Sequence, residues 1–211
     1  MVVSRGFLIA VEGVDGCGKD TQAKELCKML RGKAWLTKEP WEEEPIGALI
    51  REQALSGKMK LPTDVLQGLF ALNRARHYRD EIKPRLSRGI NVVTTRYDLS
   101  SMAYAEAGGV LAKKILSLHE IFGIPHADLT FLLRVSAETA VKRTNERGTK
   151  REIFDGIKKQ SALVEAYDRL APTYPNVVVI DAERTPKEVT EQIRSELKSF
   201  FGRMNQRGEC R

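Results

Sequence analysis

Lys19 closes the stretch Gly13-Val14-Asp15-Gly16-Cys17-Gly18-Lys19-Asp20-Thr21, which lies between the apolar run Phe7-Leu8-Ile9-Ala10-Val11 and a segment carrying Ala23, Leu26, Cys27 and Leu30 at helical spacing. Strand, glycine-rich loop and helix in that order make a phosphate-binding loop. Glycines let the backbone wrap closely around an anion, the N–H groups point inward, and the helix N-terminus adds positive partial charge. Lys19 then bridges the β- and γ-phosphates of a nucleoside triphosphate as a point charge, and a hydroxyl just after it faces Mg²⁺. Gly13, Gly18 and Lys19 fit G-x-x-x-x-G-K, with Asp20 where Ser or Thr is usual and Thr21 one place later. A glycine-rich turn that binds nothing does not account for three glycines, the lysine and the strand and helix around them.

The rest of the chain must hold that loop. Its 211 residues can form one sizeable core, and 42% apolar with 30% charged residues is ordinary for a globular protein. The net charge of +7 attracts anions of any kind, so it does not choose among nucleotides, nucleic acid and acidic membrane. Cys17, Cys27 and Cys210 lack C-x-x-C spacing, and His77, His119 and His126 form no metal-ligand pair at helical spacing. No signal peptide is evident and no apolar run is long enough to span a bilayer, so a cytoplasmic protein with no membrane partner is expected.

Further strands are expected at Ala34-Trp35-Leu36-Thr37, Ile90 to Thr95, Leu129 to Val135 and Val177 to Ile180. Helical patterns run from Ile46 to Leu55, from Pro62-Thr63 onward with a break at Pro84, from Ser100 to Glu106, from Leu111 to Phe122, after Ser136 and from Ile153 to Leu170. A final helix opens with the capping box Thr185-Pro186-Lys187-Glu188. Strands of nearly continuous apolar residues separated by helices predict a three-layer α/β fold with a parallel sheet covered on both faces. One domain over 1–202 is expected, with a basic tail at 203–211. Lys142, Arg143, Arg147, Lys150 and Arg151 surround Gly148. They form either a solvated helix end or a lid, at about 142–155, that carries guanidinium groups onto phosphates.

These motifs, in this order, resemble the thymidylate kinase family over most of the chain. The resemblance is carried by Glu12 through Lys19, Glu39-Pro40, Ile46-Gly47 with Arg51, and Leu69-Phe70-Ala71-Leu72-Asn73-Arg74. It continues through Arg96-Tyr97 with Ser100 and Ala103-Tyr104, the arginine-rich segment and Val178-Val179-Ile180-Asp181-Ala182. It implies a P-loop NTPase fold with a five-stranded parallel sheet, a homodimer, and Mg²⁺-dependent transfer of the γ-phosphoryl of ATP to dTMP, giving dTDP and ADP.

Carried over by position, Gly13, Val14, Asp15, Gly16, Cys17, Gly18, Lys19, Asp20, Thr21 and Arg143 bind ATP. The dTMP side is implied for Asp15, Glu39, Arg51, Phe70, Arg74, Arg96, Ser101 and Tyr104. Phe70 would stack on the pyrimidine, Arg74 read a base carbonyl, Tyr104 stand beside the 2′ carbon and Asp15 accept from the 3′-hydroxyl. Arg51 and Arg96 would neutralise the acceptor phosphate and fix its oxygen in line. Gly16 carries no charge where some members place a basic residue, so, besides Lys19 and Arg96 as catalytic residues, the catalytic arginine would come from the lid, with Arg147 and Arg151 as the candidates.

Two departures from the family pattern form a pair. Thr95 stands where an aspartate commonly precedes Arg-Tyr, and Asp20 where a hydroxyl commonly follows the lysine. A carboxylate beside a triphosphate is repelled unless a divalent cation lies between. Asp20 and Thr95 are therefore expected to have exchanged roles around Mg²⁺, directly or through water; the alternative is an Asp20 that faces solvent and only favours the helix N-terminus. Trp41-Glu42-Glu43-Glu44 would oppose an acceptor phosphate unless its carboxylates face solvent or pair with Lys38 or Lys58, and Ala105 replaces a polar residue. These leave open another acceptor such as dUMP, and a homologue that binds nucleotide without turnover. A nucleic-acid-binding ATPase would need a basic face with aromatic stacking residues, which a 7% aromatic content does not favour.

Overall fold

The computed structural model describes residues 5–30, 32–146 and 156–206. Five strands form its sheet: β1 (Leu8–Glu12), β2 (Ala34–Lys38), β3 (Asn91–Thr95), β4 (Leu129–Arg134) and β5 (Val177–Asp181). All pairs are parallel and the order is β2-β3-β1-β4-β5. β1 is central and buried at every residue, as its unbroken apolar run requires. The edge strands β2 and β5 are only partly covered.

Helices cover both faces. They are α1 (Lys19–Met29), α2 (Pro45–Leu49), α3 (Thr63–His77), α4 (Lys83–Ser87), α5 (Asp98–Ala107), α6 (Ala112–Phe122), α7 (Ala137–Glu146), α8 (Ile157–Leu170) and α9 (Pro186–Gln206). On one face Ile9, Val11, Val93 and Phe131 pack with Leu26 of α1, Leu163 of α8 and Ile193 of α9. On the other, Leu8, Ala10 and Val92 meet Ala75, Ile82 and Leu86. The expected three-layer α/β architecture is the one observed.

Differences from the sequence reading lie at element ends. The pattern Ile46 to Leu55 splits into α2 and a π-helical turn, Ile50–Leu55, whose wider winding puts Ile50, Ala54 and Leu55 on the buried side. Pro84 ends no element; the chain widens into a second π-helical turn, Tyr78–Ile82, and Pro84 sits in the first turn of α4, where its missing N–H costs nothing. α9 runs to Gln206, so residues 203–206 are helical rather than tail. Its capping box forms: Thr185 N donates to Glu188 Oε2 at 3.0 Å, and Glu188 N to Thr185 Oγ1 at 3.4 Å.

The register decides where function can sit. Val11 lies opposite Thr95, and Thr95 opposite Lys38, so the carboxyl ends of β1, β3 and β2 are level. The glycine loop after β1, Arg96 after β3 and Glu39 after β2 therefore leave the sheet along one edge. In open parallel sheets the crevice beyond that edge is the usual ligand site.

Candidate active site

The loop after β1 is shaped by its glycines. Gly13 has φ +133° and Gly16 φ +84°. A Cβ on Gly13 would stand 2.6 Å from Leu133 O, and one on Gly16 2.5 Å from Ala140 O. The second contact explains why position 16 holds no basic side chain: α7 packs directly on the loop. Gly18, also left-handed at φ +99°, leads into α1, whose N-terminus has no side-chain cap. Its first amides thus remain available to an anion.

Lys19 is 8% exposed, and its Nζ donates to Val14 O at 2.8 Å and to Asp15 Oδ1 at 3.4 Å. Arg96 closes on the same carboxylate, Nη2 donating to Asp15 Oδ1 at 2.6 Å, with its guanidinium 5.1 Å from the centre of the Tyr104 ring. Burial works against a charge at Asp15, but Arg96 and Lys19 outweigh it and hold the carboxyl well below the usual range. Arg96 has φ +66°, a left-handed conformation in which arginine is uncommon.

Glu12 holds that turn. The last residue of β1 is fully buried and accepts from Tyr97 N at 2.7 Å, Ser100 N at 3.1 Å, Ser100 Oγ, and Tyr167 OH at 3.2 Å. It caps α5 from another strand, fixing Tyr97, the residue before that helix, and with it the turn that carries Arg96. Burial pushes its carboxyl up, against hydrogen bonds from Ser100 and Tyr97 and the charge of Arg96. Glu12→Ala strands several buried donors and should cost about 3 kcal/mol or more, whereas Glu12→Gln keeps an acceptor and should cost about 1–2 kcal/mol. Urea unfolding of both variants measures the difference.

An open cavity of about 600 Å³ joins these groups. Asp15, Gly16, Gly18, Lys19 and Asp20 line it from the loop, and Lys38, Glu39, Arg51, Thr95 and Arg96 from the neighbouring elements. The cations Lys19, Lys38, Arg51 and Arg96 make it a place for more than one anionic group. The acidic run beyond Pro40 does not oppose them. Glu42 pairs with Lys38 at 2.8 Å and with Arg51 at 3.1 Å, while Glu44 turns inward to accept from Ile46 N and Gly47 N as the cap of α2. Glu43 stays exposed, within 3.4 Å of Trp41 Nε1.

Beside the cavity lies a buried polar group that the sequence only half reveals. Arg74 on α3 is 1% exposed; its Nε donates to Glu39 Oε2 at 2.5 Å and its Nη1 to Ser101 Oγ at 2.8 Å, with His119 Nε2 3.0 Å away. Glu39 is steadied in turn by His77 Nδ1 at 3.4 Å, and the His77 ring stacks on Trp41. Phe70 lies one helical turn before Arg74, half-buried, outside the residues lining the cavity. Arg143 donates to Ala182 O at 2.9 Å, near the end of β5. Thr21 is exposed and Val14 and Cys17 are buried. Arg147 and Arg151 lie outside the described residues, as does the lid beyond Glu146 up to residue 155.

His119 was missed in the sequence, where a lone histidine on an amphipathic helix carries no signal. Burial and the charge of Arg74 lower its pKa to about 2 from an ordinary 6.5. Below about pH 6.5 the unfolded chain therefore binds a proton here that the folded chain refuses. Stability from this group is lost as pH falls, at up to about 1.4 kcal/mol per pH unit. The stability of wild type relative to His119→Gln should decline between pH 7 and 5 when measured by denaturant titration.

A parallel five-stranded sheet, a glycine loop capping its central strand, and arginines facing the loop lysine define a kinase of the phosphate-loop class. The family model described as thymidylate kinase matches residues 11–193. A probable thymidylate kinase of Pyrobaculum calidifontis is 40% identical over 190 residues, covering 89% of this chain and 93% of the relative. That of Pyrobaculum aerophilum is 38% identical over 194 residues (90% and 95%), and that of Pyrococcus abyssi 33% over 196 (90% and 94%). The chain belongs to the thymidylate kinase family. No helix among the described residues is long and apolar enough to cross a membrane.

Proposed function

We propose that this protein transfers the γ-phosphoryl of ATP to dTMP, giving dTDP and ADP. The observation that carries the reading is the convergence of Lys19 with Arg96 and Arg51 on one cavity at the carboxyl edge of the sheet. The triphosphate lies against the loop from Gly13 to Thr21, Lys19 bridging its outer phosphates. Arg96 and Arg51 hold the acceptor phosphate dianion, and Asp15, tethered between Lys19 and Arg96, accepts from the sugar hydroxyl. Glu39 anchors Arg74, which reads the base with Ser101 and Phe70, while Tyr104 backs Arg96 and borders the sugar. Little covalent work is left for the protein; placing the two phosphates in line and neutralising them is most of the catalysis. Arg147 and Arg151 from the lid supply further charge at the transferring group, and Arg143 borders the adenine.

Mg²⁺ needs only one or two protein ligands when phosphates and water complete its shell. Among the described residues no group of three or more acidic, histidine or cysteine side chains is arranged so that it could hold a metal ion by itself. Asp20 and Thr95 line the same cavity as Lys19 and fit that need, a carboxylate in the first turn of α1 and a hydroxyl at the end of β3. Bound there, the ion would neutralise charge between the phosphates. Asp20→Thr and Thr95→Asp are each expected to weaken Mg²⁺ binding in the presence of a non-hydrolysable ATP analogue, and the double variant to regain part of it. Strictly additive losses by calorimetry would end the exchange idea.

The kinase acts in the cytoplasm and pairs as a homodimer, and light scattering would test the pairing. The reaction itself is tested by coupled ADP release over a panel of monophosphates. dTMP should give the highest kcat/KM; a better acceptor elsewhere in the panel would replace it. DNA-stimulated ATP hydrolysis without monophosphate turnover would replace the kinase reading altogether.

A further inference from the structure

Arg74 has a neighbour for which the reaction above has no use. His119, on α6, is 2% exposed, and its Nε2 lies 3.0 Å from Arg74 Nη1. A guanidinium carries only donors, so Nη1 donates and Nε2 accepts on its lone pair. The ring is therefore neutral with its proton on Nδ1, in keeping with the downward pull of burial and of Arg74 on its pKa.

The donors of Arg74 can then be assigned one by one. The single hydrogen of Nε goes to Glu39, and the two of Nη1 go to Ser101 Oγ and His119 Nε2. Both hydrogens of Nη2 remain, with no hydrogen bond among the described residues. Ser101, having accepted, keeps its own hydroxyl hydrogen to give. A planar fork held at three hydrogens has no freedom to rotate, so the direction of the remaining pair is fixed before any ligand arrives.

We propose that His119 is a specificity-determining positioning residue, which aims the unspent donors of Arg74 at a ring carbonyl of the acceptor base and so selects oxo-pyrimidines over amino-pyrimidines. The proposal rests on the reading that Arg74 meets the base. A ring amino group at that place would set donor against donor, and desolvated polar groups left without partners are what make such discrimination steep. The residue doing this must accept without charge. A carboxylate would draw the guanidinium into a second ion pair, and an apolar side chain would leave one Nη1 hydrogen buried and unmet.

The test compares His119→Leu, which cannot accept, with His119→Gln, whose amide oxygen reaches the place of Nε2. kcat and KM are measured for dTMP, dUMP and dCMP. In His119→Leu the KM for dTMP and dUMP should rise together by about tenfold, with kcat within about twofold, and the preference for dTMP over dCMP should shrink by about tenfold. His119→Gln should restore both to within about threefold of wild type. A Leu variant that binds all three acceptors equally worse, with selectivity unchanged, or a Gln variant that fails as the Leu variant does, overturns the proposal. Should His119→Leu not fold, nitrogen-15 NMR of the wild type decides: the ring should carry its proton on Nδ1 and not titrate between about pH 5 and 8. A ring protonated on Nε2 overturns it as well. Wild type that fails to phosphorylate dTMP would instead remove the proposed reaction, whereas an active wild type with unchanged selectivity in His119→Leu removes only the role of His119.

Discussion

Lys19→Met should lower kcat by about 10³ while leaving dTMP affinity within about threefold of wild type. The side chain is nearly enclosed by its own loop, with Nζ against the carbonyl of Val14, so an uncharged chain of similar length keeps the packing and removes only the point charge. In the proposed reaction that charge lies between the β- and γ-phosphates, where negative charge moves as the bond to the leaving oxygen breaks. In the same proposed reaction the acceptor phosphate is held by Arg51 and Arg96, which line the same cavity and which the substitution does not touch. Steady-state kinetics with calorimetric titration of dTMP separates the two effects. An equal loss in both would place Lys19 at the acceptor instead.

Arg96 should give the next largest effect, and a compound one. Arg96→Ala is expected to raise the KM for dTMP and to lower kcat, each by about 10². It removes the fork proposed to meet the acceptor phosphate, and also the strongest attraction on Asp15, whose carboxyl should move back up toward the ordinary range. Arg96→Gly tells the backbone from the charge. At φ +66° an alanine is strained and a glycine is not, so the glycine variant should be more stable than the alanine variant by about 1 kcal/mol yet equally inactive. Thermal denaturation and initial rates on the pair measure this. Arg96→Lys, which keeps the charge and loses the fork, should fall between wild type and alanine.

What the sequence disclosed and what it withheld follow from the range of the interactions involved. The loop from Gly13 to Thr21 was legible because its chemistry is local: glycines, lysine, strand and helix are contiguous. The capping box at Thr185 and Glu188 was legible for the same reason, and the central strands because burial on both faces leaves an unbroken apolar run. The convergence of Arg51 and Arg96 on Lys19 came from family resemblance, and the level ends of β1, β2 and β3 supply its physical basis. Glu12 escaped as a structural hub because its partners Tyr97, Ser100 and Tyr167 are 85, 88 and 155 residues away. Its one local signal was a carboxylate closing an otherwise apolar strand. His119 and Arg74, 45 residues apart, meet only because α6 packs beside α3. The π-helical turns were invisible to a reading that allows only helical and strand periods.

The central claim is that two nucleotides meet end to end in one cavity, with Lys19 on the donor side and Arg96 on the acceptor side. A bisubstrate analogue, adenosine and thymidine joined by five phosphates, tests it most directly by calorimetry against wild type, Lys19→Met and Arg96→Ala. The account predicts that wild type binds it at least about tenfold more tightly than ATP or dTMP alone, and that either substitution removes that advantage. Binding no tighter than that of ATP, with Arg96→Ala indistinguishable from wild type, would contradict a shared cavity.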